Sequence, residues 1–208
     1  MAGRPAMPDG RVLVGPVVTL RPLTVDDAAA LFAAIGSEEV WAAGYNGGAS
    51  ARPLSVPLMA AWIEALVHGG PRATYAVTAT RDVALGDAGT LVGTSSLLDV
   101  DLGNHRVHLG STAYSPSVWG SAVNPAAKRL LLAHAFEDCG FHRVKIQTDA
   151  INLRSQAAIA KLGATREGVL RHHMRRADGT WRDTVVFSIL ASEWPGVRAR
   201  LDDRIATA

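Results

Sequence analysis

The period of hydrophobic and polar positions changes several times along the chain, and each change marks an element. Val17-Val18-Thr19-Leu20-Arg21 is short and β-branched, and predicts a first strand closed by Pro22. Thr24, Asp26 and Asp27 then open a helix through Ala28 to Ile35, ended by Gly36. Trp41 to Pro57 carries no period and reads as a long loop holding Tyr45 and Asn46. Met59, Trp62, Ile63 and Leu66 recur at helical spacing within Leu58 to Val67, before Gly69-Gly70-Pro71. Thr74 to Thr80 and Thr90 to Val100 form a hairpin across the Asp82 to Gly89 turn, and Arg106 to Tyr114 is a further strand.

The second half alternates helix and strand. Asn124-Pro125 predicts a helix start, with Asn as cap and Pro at the first position, and the helix runs to about Cys139 before Gly140. Arg143 to Thr148 alternates cleanly, so one face is buried. Asn152 to Leu162 is a short helix ending at Gly163, and strands Gly168 to Arg175 and Arg182 to Leu190 meet across Asp178-Gly179. The pattern gives one domain over residues 17–208, with residues 1–16 as a flexible tail.

Composition narrows the chemistry. With 21 Lys and Arg against 19 Asp and Glu, interspersed along 208 residues, no basic block points to a nucleic-acid partner. No apolar run approaches the roughly 20 residues of a membrane helix, and the single Cys139 permits no internal disulfide. A cytoplasmic address is expected. No His, Cys or Asp set has zinc spacing, and His172 and His173, adjacent on a strand, point to opposite faces, so no metal is expected.

The most informative stretch is Ser117-Val118-Trp119-Gly120-Ser121-Ala122-Val123-Asn124-Pro125. A strand enters a small-residue loop that runs into a helix, so unpartnered N–H groups converge at a positive dipole end. The segment fits either an anion site or a tight turn. It lacks the Gly-Lys-Ser/Thr of a Walker A loop and the three-glycine spacing of a dinucleotide fingerprint.

Ser117 to Ala122 resembles the pyrophosphate loop Arg/Gln-x-x-Gly-x-Gly/Ala of the GCN5-related N-acetyltransferase (GNAT) superfamily, with Ser117 at the first place. Asn152-Leu153-Arg154-Ser155 … Lys161-Leu162-Gly163 is similar to that family's Asn-x-x-Ser … Lys-Leu-Gly helix. Leu20-Arg21-Pro22-Leu23 and the run Glu167-Gly168-Val169-Leu170-Arg171 … Asp178-Gly179 … Asp183 … Phe187 … Glu193-Trp194 resemble the RimJ/RimL-like branch.

The resemblance implies an α/β (α+β) GNAT fold. Its mixed central sheet is bulged or splayed between the fourth and fifth strands, Arg106–Tyr114 and Arg143–Thr148, and flanked by four helices. It implies acetyl-CoA as co-substrate, a small-molecule or peptide amine as acceptor, and allows a homodimer. Trp119, Gly120, Ser121, Ala122, Val123 and Asn124 would hold the pyrophosphate, and Thr112, Ala113 and Tyr114 the pantetheine or the oxyanion. Asn152 and Ser155 would reach the thiol end, while Arg154 or Lys128 meets the 3′-phosphate or is a solvated surface charge.

For catalysis, His108 and Glu167 are the candidate bases, and Ser155 or Tyr114 the candidate thiolate acid, because Ile159 stands where many relatives carry a tyrosine. His108, with an unperturbed pKa near ~6.5, suits proton transfer at neutral pH. The alternatives are a non-catalytic acyl-CoA-binding module on the same fold, supported by Ile159 and Ser117, and transfer of another acyl group such as succinyl.

Overall fold

The computed structural model describes residues 4–80 and 87–207. Eight strands form one sheet: β1 Leu13–Val14, β2 Val18–Pro22, β3 Ala73–Ala79, β4 Leu91–Asp101, β5 Arg106–Tyr114, β6 Arg143–Asp149, β7 Thr165–Arg175 and β8 Trp181–Leu190. Their order is β1-β2-β3-β4-β5-β6-β8-β7. All neighbours are antiparallel except β5 and β6, as expected where a helix connects two strands of one sheet. The α-helices are α1 Ala28–Ile35, α2 Glu38–Trp41, α3 Val56–His68, α4 Val123–Ala133, α5 Leu153–Lys161 and α6 Trp194–Ala206.

The sheet is covered unequally. On one face α4 and α6 bury a core that runs from Val18 and Leu20 through Leu109, Leu131, Phe141 and Val144 to Ile189, Val197 and Leu201. On the other face α1 and α3 bury Leu31, Ile35, Met59 and Ile63 with Trp41, Ala76 and Ala113. That second core reaches only to β5. β7, at the edge, is exposed along its length except at Gly168.

Several boundaries differ from the sequence reading for local reasons. The expected loose tail is docked from Pro5 onward: Pro5 and Pro8 are buried, Ala6 N–H donates to the Cys139 carbonyl, and Leu13–Val14 pairs with β2. The Trp41–Pro57 stretch contains helical turns, and Trp41 is wholly buried with its Nε1 donating to Ile35 O at 2.7 Å. α4 begins at Val123, so Ala122 occupies the cap position and Asn124 lies inside the first turn. α6 has no counterpart in the sequence reading, although Trp194, Val197 and Leu201 recur on one stripe. Residues 82–86 of the expected turn lie outside the described residues.

Candidate active site

The parallel pairing of β5 with β6 joins only Arg106↔Arg143, Val107↔Val144 and His108↔Lys145. Beyond that register the strands part. β5 also carries a bulge: its pairing with β4 jumps from Thr94↔Ala113 to Ser96↔Gly110, with Ser111 at φ +44°. A bulge sets one residue outside the ladder and bends the strand, here at the mouth of the gap. The result is a cleft of about 370 Å³ between β5, β6, α4 and α5, closed at one end by the Gly44–Asn46 segment.

The expected anion loop stands at this cleft, and Trp119, Gly120 and Asn124 line it. Not every amide there is open. Trp119 N–H donates to Pro116 O, Ser121 N–H to Val118 O, and Val123 N–H to Ser121 Oγ. Gly120, Ala122 and Asn124 N–H make no hydrogen bond among the described residues. Gly120 has φ +82°, and nothing lies within 4 Å of where a Cβ would go. The space in front of it is therefore open at the N-terminus of an eleven-residue helix. Free amides at a helix N-terminus suit an anion, and unpaired strand edges suit an extended amide chain.

Across the cleft, Asn152 caps α5, its side-chain oxygen accepting from Ser155 N–H at 2.9 Å. Asn152, Arg154 and Ser155 all line the cleft. The Arg154 guanidinium lies 3.4 Å from the centre of the Trp119 ring, so this exposed residue lies across the two walls.

His108 is buried, and its Nδ1 lies 3.1 Å from Asp99 Oδ2, which also meets Lys145 Nζ at 3.3 Å. Its Nε2 is buried, has no hydrogen-bond partner among the described residues, and the ring lines the cleft. Burial pulls the His108 pKa below its usual value, against the opposing pull of Asp99. Asp99, bonded to His108, is held well below the usual carboxylate range. The ring is thus neutral at physiological pH; with Nδ1–H donated to Asp99, its Nε2 lone pair is free to accept a proton.

Glu167 does not join this site. It accepts from Arg143 Nη1 at 2.6 Å and from Ser188 Oγ at 2.9 Å, and lies on a separate shallow groove formed by β6, β7 and β8. Both interactions hold its pKa below the usual carboxylate value, the Arg143 bond most. A carboxylate pinned by a guanidinium makes a poor base. The Tyr114 hydroxyl is buried without a partner, and burial raises its pKa. Thr112 and Ala113 line the cleft beside it. Tyr45 reaches Ser111 O with its hydroxyl at 3.4 Å and packs edge-on against Trp41 at 5.0 Å, and both Tyr45 and Asn46 line the cleft.

Three further residues at the cleft depart from the sequence reading or are absent from it. Lys128 is no surface charge: it is 6% exposed, its Nζ donates to Thr112 Oγ1 at 2.6 Å and to Ser95 Oγ at 3.2 Å, and burial brings its pKa down to about 7. Its signal is present in the sequence, since it falls three and four residues before Leu131 and Leu132 on the buried stripe. Asp149 ends β6 fully buried, held by Arg176 at 2.8 and 2.9 Å. Arg182 lines the same end of the cleft with its Nε buried and unpartnered. No cluster of His, Cys, Asp or Glu able to hold a metal occurs among the described residues. No described helix is long and apolar enough to cross a membrane.

Comparison with known proteins agrees with this geometry. Residues 18–165 match the acetyltransferase (GNAT) domain family. YdaF of Bacillus subtilis (strain 168), a proposed ribosomal N-acetyltransferase, is 32% identical over 108 residues, 52% of this chain and 58% of YdaF. The chain thus spans little more than half the length of that relative. A crystal structure of a proposed acetyltransferase from T. thermophilus is 35% identical, covers 94% of this chain and 97% of its own, and superposes with a TM-score of 0.80. Mycobacterium smegmatis RimJ, solved in complex with CoA-disulfide, shares the fold at 24% identity, with 94% and 95% of the two chains covered and a TM-score of 0.74. With the matched domain spanning most of the sequence and the parted β5–β6 pair at its centre, the chain belongs to the GNAT acetyltransferase family.

Proposed function

We propose that this protein transfers the acetyl group of acetyl-CoA to a primary amine by direct attack on the thioester, with His108 as the proton acceptor. The observation that carries the reading is the His108 imidazole. It is buried in the cleft, held by Asp99 at Nδ1 and unpartnered at Nε2. An alkylammonium has a pKa near ~10.4 and must lose a proton before it attacks. A neutral imidazole is suited to take that proton, and positioned general bases contribute roughly 10²–10⁴-fold. The carbonyl oxygen, as charge develops on it, would be met by an N–H of the Thr112–Tyr114 stretch past the bulge, a donor worth about 3–4 kcal/mol. Holding both reactants in line supplies much of the remainder.

The cofactor half of the reading rests on the open amides of Gly120, Ala122 and Asn124 and on the unpaired edges past His108. The acceptor half draws on YdaF, whose name points to ribosomal protein amines. The shallow groove across β6, β7 and β8 meets the cleft at Gln147 and offers room for an extended chain. An N-terminal peptide amine is therefore the acceptor to try first. Calorimetry with acetyl-CoA, followed by thiol release against peptide and small amines, tests both halves. Gly120→Glu should abolish acetyl-CoA binding by filling the phosphate space with bulk and negative charge. Unchanged affinity in that variant removes the loop assignment, and binding without thiol release against every amine would leave a binding module.

A further inference from the structure

The fold alone gives no reason for Lys128. It lies on the buried stripe of α4 where an apolar side chain would pack, and no carboxylate pairs with it among the described residues. Desolvating an ammonium without a counter-ion is costly, and burial lowers its pKa to about 7, so the charged and neutral forms coexist near neutrality. Its Nζ, Thr112 Oγ1 and Ser95 Oγ close a triangle of hydrogen bonds of 2.6, 3.2 and 2.7 Å. Hydroxyls in such a ring pass protons by exchanging donor and acceptor roles. Lys128 and Thr112 both line the cleft, as does Ile159, whose side chain has no proton to give. Other titratable groups at this part of the cleft are His108, farther along β5, the Tyr114 hydroxyl, and Tyr45, whose hydroxyl donates to Ser111 O beside Thr112.

We propose that Lys128, acting through the hydroxyl of Thr112, supplies the proton taken up by the departing CoA thiolate. The proposal rests on the acyl-transfer reading above. When the tetrahedral adduct collapses, the carbon–sulfur bond breaks and its electron pair leaves on sulfur. Thr112 Oγ1 gives its proton to that sulfur and takes one from Nζ, leaving a neutral lysine. The nitrogen gives up two protons, each taken by His108 and passed to water, the ammonium proton before attack and the second as the adduct forms. Lys128 recovers one from water, so the net reaction is ammonium plus thioester to amide, thiol and one proton.

The test uses the full chain with CoA bound, and follows the thiolate of the bound cofactor by its ultraviolet absorbance as pH is raised. A permanent cation linked to the sulfur favours the thiolate, so Lys128→Arg should ionise CoA at a pH about one unit or more below Lys128→Met, while wild type, whose lysine is already neutral at that pH, stays close to Lys128→Met. Lys128→Arg keeps the charge but cannot give up its proton. It should retain easy thiolate formation yet turn over roughly 10²-fold more slowly, and lose the alkaline fall in kcat that deprotonation of Lys128 imposes on wild type. Thr112→Val leaves the lysine in place and should slow turnover likewise, with Thr112→Ser restoring it. Identical thiol titrations in Lys128→Arg and Lys128→Met, or wild-type turnover in Lys128→Arg, overturn the proposal. Failure of wild type to bind CoA sinks the acyl-CoA reading itself, and the proposal with it.

Discussion

His108 and Lys128 sit in one cleft and are both stripped of water, yet burial suits them to opposite tasks. For the imidazole, lowering the pKa keeps the lone pair available; for the amine, it makes an otherwise permanent cation able to part with a proton. His108→Gln should lower kcat by ~10²–10⁴ while leaving acetyl-CoA affinity nearly unchanged, as steady-state kinetics with calorimetry will show. Lys128 also writes itself into stability. Its folded pKa lies below the unfolded value of 10.5, so between about 7 and 10 the unfolded chain binds more protons and stability rises with pH. Denaturant titrations at pH 7 and pH 9.5 should therefore show Lys128→Met more stabilising at the lower pH, with the advantage shrinking at the higher. The histidine was legible as a candidate from its place on a strand beside the acyl site that the resemblance implied. Its partner Asp99 and the bonds of Glu167 to Arg143 and Ser188 were not, because they join residues of different strands that only the sheet register brings together.

At the scale of elements, local sequence rules succeeded where a single residue decides the geometry. Gly163 adopts positive φ just past α5, at +88°, as does Gly140, at +71°, beyond the π-helical turn His134–Asp138 that continues α4, and Asn152 caps α5 as its side chain dictates. Asn152→Ala should cost about 1 kcal/mol in thermal unfolding and also weaken CoA binding, since the freed first turn of α5 forms one wall of the cleft. The rules failed at α4, where Asn124-Pro125 mimics a cap but the chain is already helical from Val123. A proline is tolerated anywhere in a first turn whose N–H groups have no partner, so this signal cannot fix the start to a single residue. The parting of β5 from β6 was expected from the resemblance only, and the bulge at Ser111, which lies in the pairing of β5 with β4, was not expected at all; nothing in Gly110-Ser111-Thr112 marks it apart from the small residues.

For the molecule as a whole, the tie between Asp149 and Arg176 fastens the end of β6 to the β7–β8 turn. Ala177 N–H then donates to Gly47 O, joining that turn to the Tyr45 segment. Arg176→Met strands a buried carboxylate, a loss of about 3 kcal/mol or more, which should lower Tm by roughly 6–12 °C for a chain this size. The double variant with Asp149→Asn should recover much of it. The three residue pairs that join β5 to β6 have a mechanical counterpart. Behind them, one uninterrupted apolar layer under α4 and α6 spans both halves of the sheet, whereas the opposite face has no such cover past β5. The seam can therefore breathe on one side only, hinged along α4, and an amide-bearing ligand laid into it would act as the missing rungs of the ladder. Saturation at a hundred times Kd stabilises a protein by about 2.7 kcal/mol. Here that gain should appear as slowed amide hydrogen exchange on both banks of the seam at once, in residues 109–114 and 146–149, and scarcely at all in β1 to β3.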